Sequence, residues 1–292
     1  MAAMLAIISA LLYSFAMISA QIGLKDTDTF SGALISMVFS FIGSLFIFIY
    51  FVPISHFASW ALIYFFIAGL SGPCLGRFLL FIGINRVGSS IASTLYSIKP
   101  LFSAIAAVLI LGENLTTAIA VATLIMVVGL AIVSFEESGK KIESSWSKKD
   151  LIFPVMAGAA YGLSHVFRKI GLNINHDPLM GVVVQNVAAL SFSSILAVFK
   201  KNQQQVSVNR RKAWIAFGLS GIFSVSGQLA MFFGLNVGSV IIVSPLSAIS
   251  PLFIIVTAGI FLRKVERITW RIVLGAVLII GGTFILSFFP GS

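Results

Sequence analysis

Tyr96-Ser97-Ile98-Lys99-Pro100-Leu101-Phe102 and Ser247-Ala248-Ile249-Ser250-Pro251-Leu252-Phe253 are two versions of one segment. A series of shared landmarks surrounds them. Gly83-Ile84-Asn85-Arg86-Val87-Gly88-Ser89 precedes the first copy, and Gly234-Leu235-Asn236-Val237-Gly238-Ser239 precedes the second. Glu113 follows one and Glu266 the other, and the same 16 residues separate Glu113 from Gly129 and Glu266 from Gly282. Apolar helices resemble one another by chance, because Leu, Ile and Val interchange. An ordered series of Gly, Pro and Glu does not arise that way, so the chain is read as an internal duplication.

The duplication extends toward both starts. Tyr13 precedes Ile22-Gly23-Leu24 as Tyr161 precedes Ile170-Gly171-Leu172. Gly69-Leu70-Ser71-Gly72 echoes Gly218-Leu219-Ser220-Gly221, and Trp60 and Trp214 open the matching segments, where tryptophan suits a bilayer interface.

The 292 residues are 59% hydrophobic and 10% charged, with mean hydropathy +1.07. A soluble domain carries about a quarter charged residues, so the chain is a membrane protein. The first apolar run starts at Met1 without a basic leader or a small-residue cleavage site, and reads as a retained span rather than a signal peptide. Cys74 is the single cysteine, which excludes an intrachain disulfide and leaves no cysteine-based metal site to expect. No cofactor is expected. The net charge of +10 does not point to nucleic acid, because the basic residues lie in short loops between apolar runs.

Ten spans of about 20 residues each are expected, the length that crosses a bilayer core of about 30 Å. They cover about 3–24, 30–52, 57–82, 88–111, 115–135, 151–172, 178–199, 213–235, 238–262 and 268–289. Lipid cannot satisfy backbone polar groups, so each is a helix. The polar stretch 136–150 is the linker, separating a first repeat at 1–135 from a second at 151–292. Five spans per repeat is an odd number, so the second copy is inverted relative to the first.

Loop charge agrees with inversion. The loop after the second span holds only His56, while its counterpart holds Lys200, Lys201, Arg210, Arg211 and Lys212. The loop after the fourth holds Glu113, while its counterpart holds Arg263, Lys264 and Arg267. Of the 19 Lys and Arg, all but Arg77, Lys99, Arg168 and Lys169 fall in or beside odd-numbered loops. The positive-inside rule places those loops in the cytoplasm and both termini outside.

These features resemble the drug/metabolite transporter superfamily, EamA type: two five-helix repeats, Pro-Leu-Phe in each fourth helix, Gly112-Glu113 closing the first copy, and a glycine-bearing fifth helix. The resemblance covers nearly the whole chain. It implies an all-α membrane protein, ten transmembrane helices around a central cavity between the repeats, working by alternating access. The family's usual orientation puts both termini in the cytoplasm, against the charge count. The second copy also has Arg263-Lys264-Val265-Glu266 where the first has Leu111-Gly112-Glu113.

Lys99 is the first site candidate. It lies about eleven residues from either end of its span, too deep to snorkel easily, and a lysine there costs at least about 2.5 kcal/mol. Pro100 leaves the Tyr96 carbonyl without its helical donor, and Tyr96 stands one turn back on the same face. A structural lysine satisfied by backbone carbonyls is the alternative. Ser247 and Ser250 match Tyr96 and Lys99 in the second copy, which gives an asymmetric site. Arg77 lies deep in the third span with Gln228 as its counterpart; it either faces substrate or snorkels toward Arg86. Tyr13 and His165 complete the candidates, with His165 equally readable as a hydrogen-bonded structural residue. Arg168 and Lys169, near the end of their span, are expected to snorkel. Gln185 and Asn186 read as interhelical glue, and Gly72-x-x-x-Gly76 as a packing motif or gating hinge.

No Asp or Glu lies inside any expected span. Uncompensated cations favour an anion or the carboxylate of a zwitterion. The sequence therefore points to a multi-pass transporter in the cell (inner) membrane, carrying a small organic metabolite such as an amino acid. A broad exporter of amphipathic compounds, with Lys99 structural, is the rival reading. A non-transporting membrane subunit is another. A membrane-embedded enzyme would need a cluster of His, Asp or Glu near an interface, so enzymatic activity is not expected. Substrate and bilayer are the expected partners, and a monomeric core suffices.

Overall fold

The computed structural model describes residues 1–25, 27–51, 60–87, 92, 95–96, 98–138, 147–200, 211–250, 252–253 and 270–288. Glu266, Pro251, most of the 136–150 linker, the part of the ninth expected span beyond Phe253, and the loops bearing His56, Lys201, Arg210, Arg263 and Lys264 lie outside them.

In chain order the helices are α1 (Ala2–Leu24), α2 (Thr29–Phe51), α3 (Ala61–Val87), α4 (Lys99–Leu111) and α5 (Thr117–Ser138). Then come α6 (Ile152–Ile174), α7 (Pro178–Lys200), α8 (Arg211–Val237), α9 (Val240–Ser247) and α10 (Trp270–Phe288). The protein is all-helical among the described residues. Six helices there are long and apolar enough to cross a membrane: α1, α2, α3, α6, α7 and α8.

Side chains fix where these helices begin and end. Asp28 accepts from the Phe30 and Ser31 amides at the start of α2, and Asp177 from the Leu179 and Met180 amides at the start of α7. Ser147 and Asp150 form a capping box just before α6. Gly112 ends α4 at φ 66°, a left-handed conformation that glycine adopts without Cβ strain. Midway along α3 the backbone widens into a π-type turn over Leu70–Gly76. Pro73 lies inside it and lacks the N–H that a regular ladder requires. Gly72 and Gly76 of the packing motif face Tyr161 and Ser164 of α6 there, where an added Cβ would lie 2.6 Å from either partner.

The packing exchanges partners between the halves. α1 lies on α8 and α3 lies on α6; α2 packs on α7, α4 on α9, and α5 on α10. Two hydrophobic clusters form the interior. One gathers the start of α1 (Ala6, Ala10) and of α3 (Phe65) with the later parts of α6 (Val166, Leu172) and α8 (Met231, Leu235). The other gathers the end of α1 (Met17, Ala20) and of α3 (Leu80, Ile84) with the early parts of α6 (Ala157) and α8 (Ala213, Phe217). α1 and α3 therefore run opposite to α6 and α8, and a polar layer separates two apolar plugs.

Candidate functional site

The polar layer holds a small cavity of about 30 Å³, room for about one water molecule. Tyr13, Arg77, Tyr96, Lys99, Tyr161 and Ser250 are among the residues that line it. Ser220, Ser224 and Ser247 add hydroxyls, and Ala16, Met17, Leu80 and Phe81 add apolar surface.

Lys99 is 3% exposed and opens α4. Its Nζ donates to Ser247 Oγ at 3.2 Å and sits 5.3 Å from the Tyr96 ring centroid. Tyr96 in turn stands edge-on to Tyr161, with centroids 5.4 Å apart. Ser247 donates to the Ser244 carbonyl, and Ser244 Oγ is shared by Ser103 at 2.6 Å and by His165 Nδ1 at 3.2 Å. A continuous polar track thus runs from Lys99 through α9 to His165.

Pro100 is placed differently from the sequence expectation. It lies in the first turn of α4, where a missing N–H costs nothing, and not in mid-helix. The Tyr96 carbonyl faces Gly158 of α6, at 3.0 Å from where a Cβ would stand. Gly162, one turn on, has the same relation to the Lys99 carbonyl at 2.9 Å. These two glycines let α6 approach the Lys99 backbone directly. The matching segment bends alike: Leu101 donates to the Ile98 carbonyl at 3.0 Å, and Leu252 to the Ile249 carbonyl at 2.9 Å.

Arg77 does not snorkel toward Arg86. It is 3% exposed, and its Nη1 reaches Ser36 Oγ at 3.3 Å and Ser40 Oγ at 3.4 Å on α2. Arg86 instead pairs with Asp150 and lies over Phe153. Gln228 does not line the cavity. Its Oε1 accepts from Gln185 Nε2 at 2.7 Å and Asn186 Nδ2 at 2.9 Å, so all three amides tie α7 to α8. His165 stands one layer behind the cavity, on Ser244.

Arg168 corrects the sequence reading most sharply. Expected at the interface, it is 0% exposed. Its guanidinium lies 5.3 Å from the Phe232 ring, beside the Tyr13 hydroxyl. None of its three nitrogens meets an acceptor in hydrogen-bond geometry among the described residues. Distance to the span's end could not reveal this, because burial depends on which helices cover that end. Lys169, its neighbour, is half-buried rather than free at an interface. It donates to the Leu235 and Gly238 carbonyls at 2.8 and 2.9 Å, closing the end of α8. Glu113 does the converse, accepting from the Val240 and Ile241 amides at 2.9 and 3.0 Å at the start of α9.

Tyr161 was a landmark of the duplication but not a nominated site residue. Its match to Tyr13 is the signal that could have nominated it, since both now line the cavity. Among the described residues no cluster of His, Cys, Asp or Glu could hold a metal ion.

The model of the EamA-like transporter family matches residues 1–135 and 149–288. An uncharacterised protein of Methanocaldococcus jannaschii is 29% identical over 137 residues, 47% of this chain and 95% of that protein. A Sinorhizobium protein named as an uncharacterised transporter in the cobO 3′ region is 25% identical over 150 residues, 51% of this chain and 100% of the relative. Each relative thus aligns along nearly its whole length with about half of this chain. A crystal structure superposes with TM-score 0.78 at 13% identity, covering 99% of this chain and 97% of the other, a likeness of fold alone.

Proposed function

The chain belongs to the EamA-like transporter family, and we propose that it carries a small anionic or zwitterionic organic metabolite across the membrane by alternating access, with Lys99 holding the negative group. One observation carries this reading. Arg77, Lys99 and Arg168 are buried about one polar layer, and no carboxylate is buried among the described residues. Such a layer attracts negative charge.

In this reading ten membrane helices form two repeats, 1–135 and 151–292, related by a two-fold axis in the membrane plane. The opposite running of α1 and α6, and of α3 and α8, supports inversion, as does the exchange of packing partners. Inverted-repeat carriers place their sites near the midplane, where Tyr13 and Lys99 would lie. The apolar plugs would serve as the two gates, opened in turn. The charge of the loops favours both termini facing away from the cytoplasm, against the family's usual orientation. A cytoplasm-only folding reporter fused to Ser292 should stay dark, and a bright fusion reverses the orientation.

The test of function is uptake by purified protein in liposomes. Lys99→Ala should insert and fold yet lose transport of the anion. The rival reading, a broad exporter with a structural lysine, draws on the contacts of Lys99 with Ser247 and Tyr96. It predicts unimpaired transport by Lys99→Met, and that result would end the proposal.

A further inference from the structure

We infer that Arg168 is a second anion anchor and that the substrate is an organic dianion, with two acidic groups a few carbons apart. This rests on the transporter reading above and deepens it. A guanidinium presents five N–H donors and stays charged. Burying it with no acceptor is among the costliest states for a side chain. Arg168 is fully buried, and among the described residues none of its nitrogens meets an acceptor in hydrogen-bond geometry, the Tyr13 hydroxyl beside it being a neutral group that leaves the charge unpaired. The face of Phe232 accepts the cation weakly and satisfies none of the donors.

Its position joins it to the cavity. Tyr161, His165 and Arg168 follow one another along one face of α6, at spacings of four and three residues. Tyr161 lines the cavity, His165 ends the polar track from Lys99, and Arg168 lies beside the hydroxyl of Tyr13, another lining residue. Lys99 and Arg168 therefore bracket the track from two depths. They differ by about a helical turn or two along α6, roughly 5–10 Å. One carboxylate on Lys99 and a second on the planar fork of Arg168 would answer both cations. A monoanion would leave the guanidinium unanswered. Arg77 is the third cation, but Ser36 and Ser40 already occupy its Nη1.

The experiment is thermal stabilisation of the detergent-purified full chain by acid pairs of equal length: succinate against butyrate, and glutarate against valerate. The diacids should stabilise the wild type by more than their monoacids, reflecting binding about tenfold tighter or better. Arg168→Met should melt without ligand at the wild-type temperature or above it, since removing an unanswered buried charge relieves a cost. It should keep the monoacid shift and lose the diacid excess, and Arg168→Lys should recover part of that excess. A structural arginine would instead lower the ligand-free melting temperature and leave the excess intact, which overturns the inference. Equal shifts by diacid and monoacid in the wild type also overturn it, while leaving the transporter reading in place. No shift from any of the four acids overturns this inference and the anionic reading of the site together.

Discussion

The chamber has two unlike walls. α3 and α4 both pack on α6 and bring Arg77, Lys99, His165 and Arg168 to one side. α1, α8 and α9 pack on one another and offer Tyr13, Ser220, Ser224 and Ser247, with Ser250 just beyond, and no charge. The duplication maps one wall onto the other: Lys99 onto Ser250, Arg77 onto Gln228, and, at the Tyr13–Tyr161 spacing, His165 onto Met17 and Arg168 onto Ala20. Glycine positions stayed paired in the sequence, while every charge buried among the described residues collected on one side. A duplicated sequence can thus carry a one-sided set of buried charges.

The ties between the walls are one-sided as well. Glu113, just past α4, grips the amides that begin α9, and Lys169 of α6 grips the carbonyls that end α8. In both cases a charged side chain from the cationic wall holds the backbone of the neutral one. Both land on the turn around Gly238, at the end sealed by Leu235, Val240 and Val243. They tie the ends of α8 and α9 to the cationic wall through backbone groups that water could also satisfy.

The largest effect is expected from moving a charge to the matching position of the other repeat. Lys99→Ser combined with Ser250→Lys keeps the composition and shifts one cation to the neutral wall. Affinity for the proposed anionic substrate should fall about thirtyfold or more, about 2 kcal/mol, because Arg77 and Arg168 stay behind on the other wall. Recovery of wild-type binding in the double variant would show the walls to be interchangeable and would break the comparison.

A middle-sized effect belongs to the tie between Glu113 and the start of α9. Glu113→Gln keeps one acceptor oxygen but loses the charge and the second amide bond at the start of α9. Stability should fall by about 1–2 kcal/mol, read as a lower melting temperature in detergent. An unchanged melting temperature would mean that the tie from the cationic wall contributes nothing to holding α9.

How much of this was legible beforehand follows from what each signal measures. Hydropathy measures burial of a whole segment, so the long apolar helices could be read directly. The landmark series measures descent, so Lys99, Tyr96, Ser247 and Ser250 were found together and now share one cavity. Neither signal measures which face of a helix is covered by its neighbours. The burial of Arg168 and the turn of Gln228 away from the cavity toward Gln185 and Asn186 are therefore not legible in either signal. The wide turn at Leu70–Gly76 was also missed, although Pro73 between two glycines was its visible cause. That turn precedes Arg77 immediately and sets the direction in which its side chain leaves α3.

The smallest effect is expected at the matching position on the neutral wall. Ser250 lines the cavity, opposite in the duplication to Lys99, and carries one hydroxyl. Ser250→Ala removes at most one neutral hydrogen bond to the substrate, about 0.5–1.5 kcal/mol. Removing Lys99 strips a charge from a site with no buried carboxylate among the described residues. Affinity measured in parallel on Ser250→Ala and Lys99→Ala should therefore differ by at least about tenfold, with Ser250→Ala the milder. Both variants shorten a side chain at the same landmark, so loss of bulk alone does not predict that gap. If the two variants lose equal affinity, the substrate is held by both walls alike, and the asymmetry of charge is an accident of drift with no share in recognition.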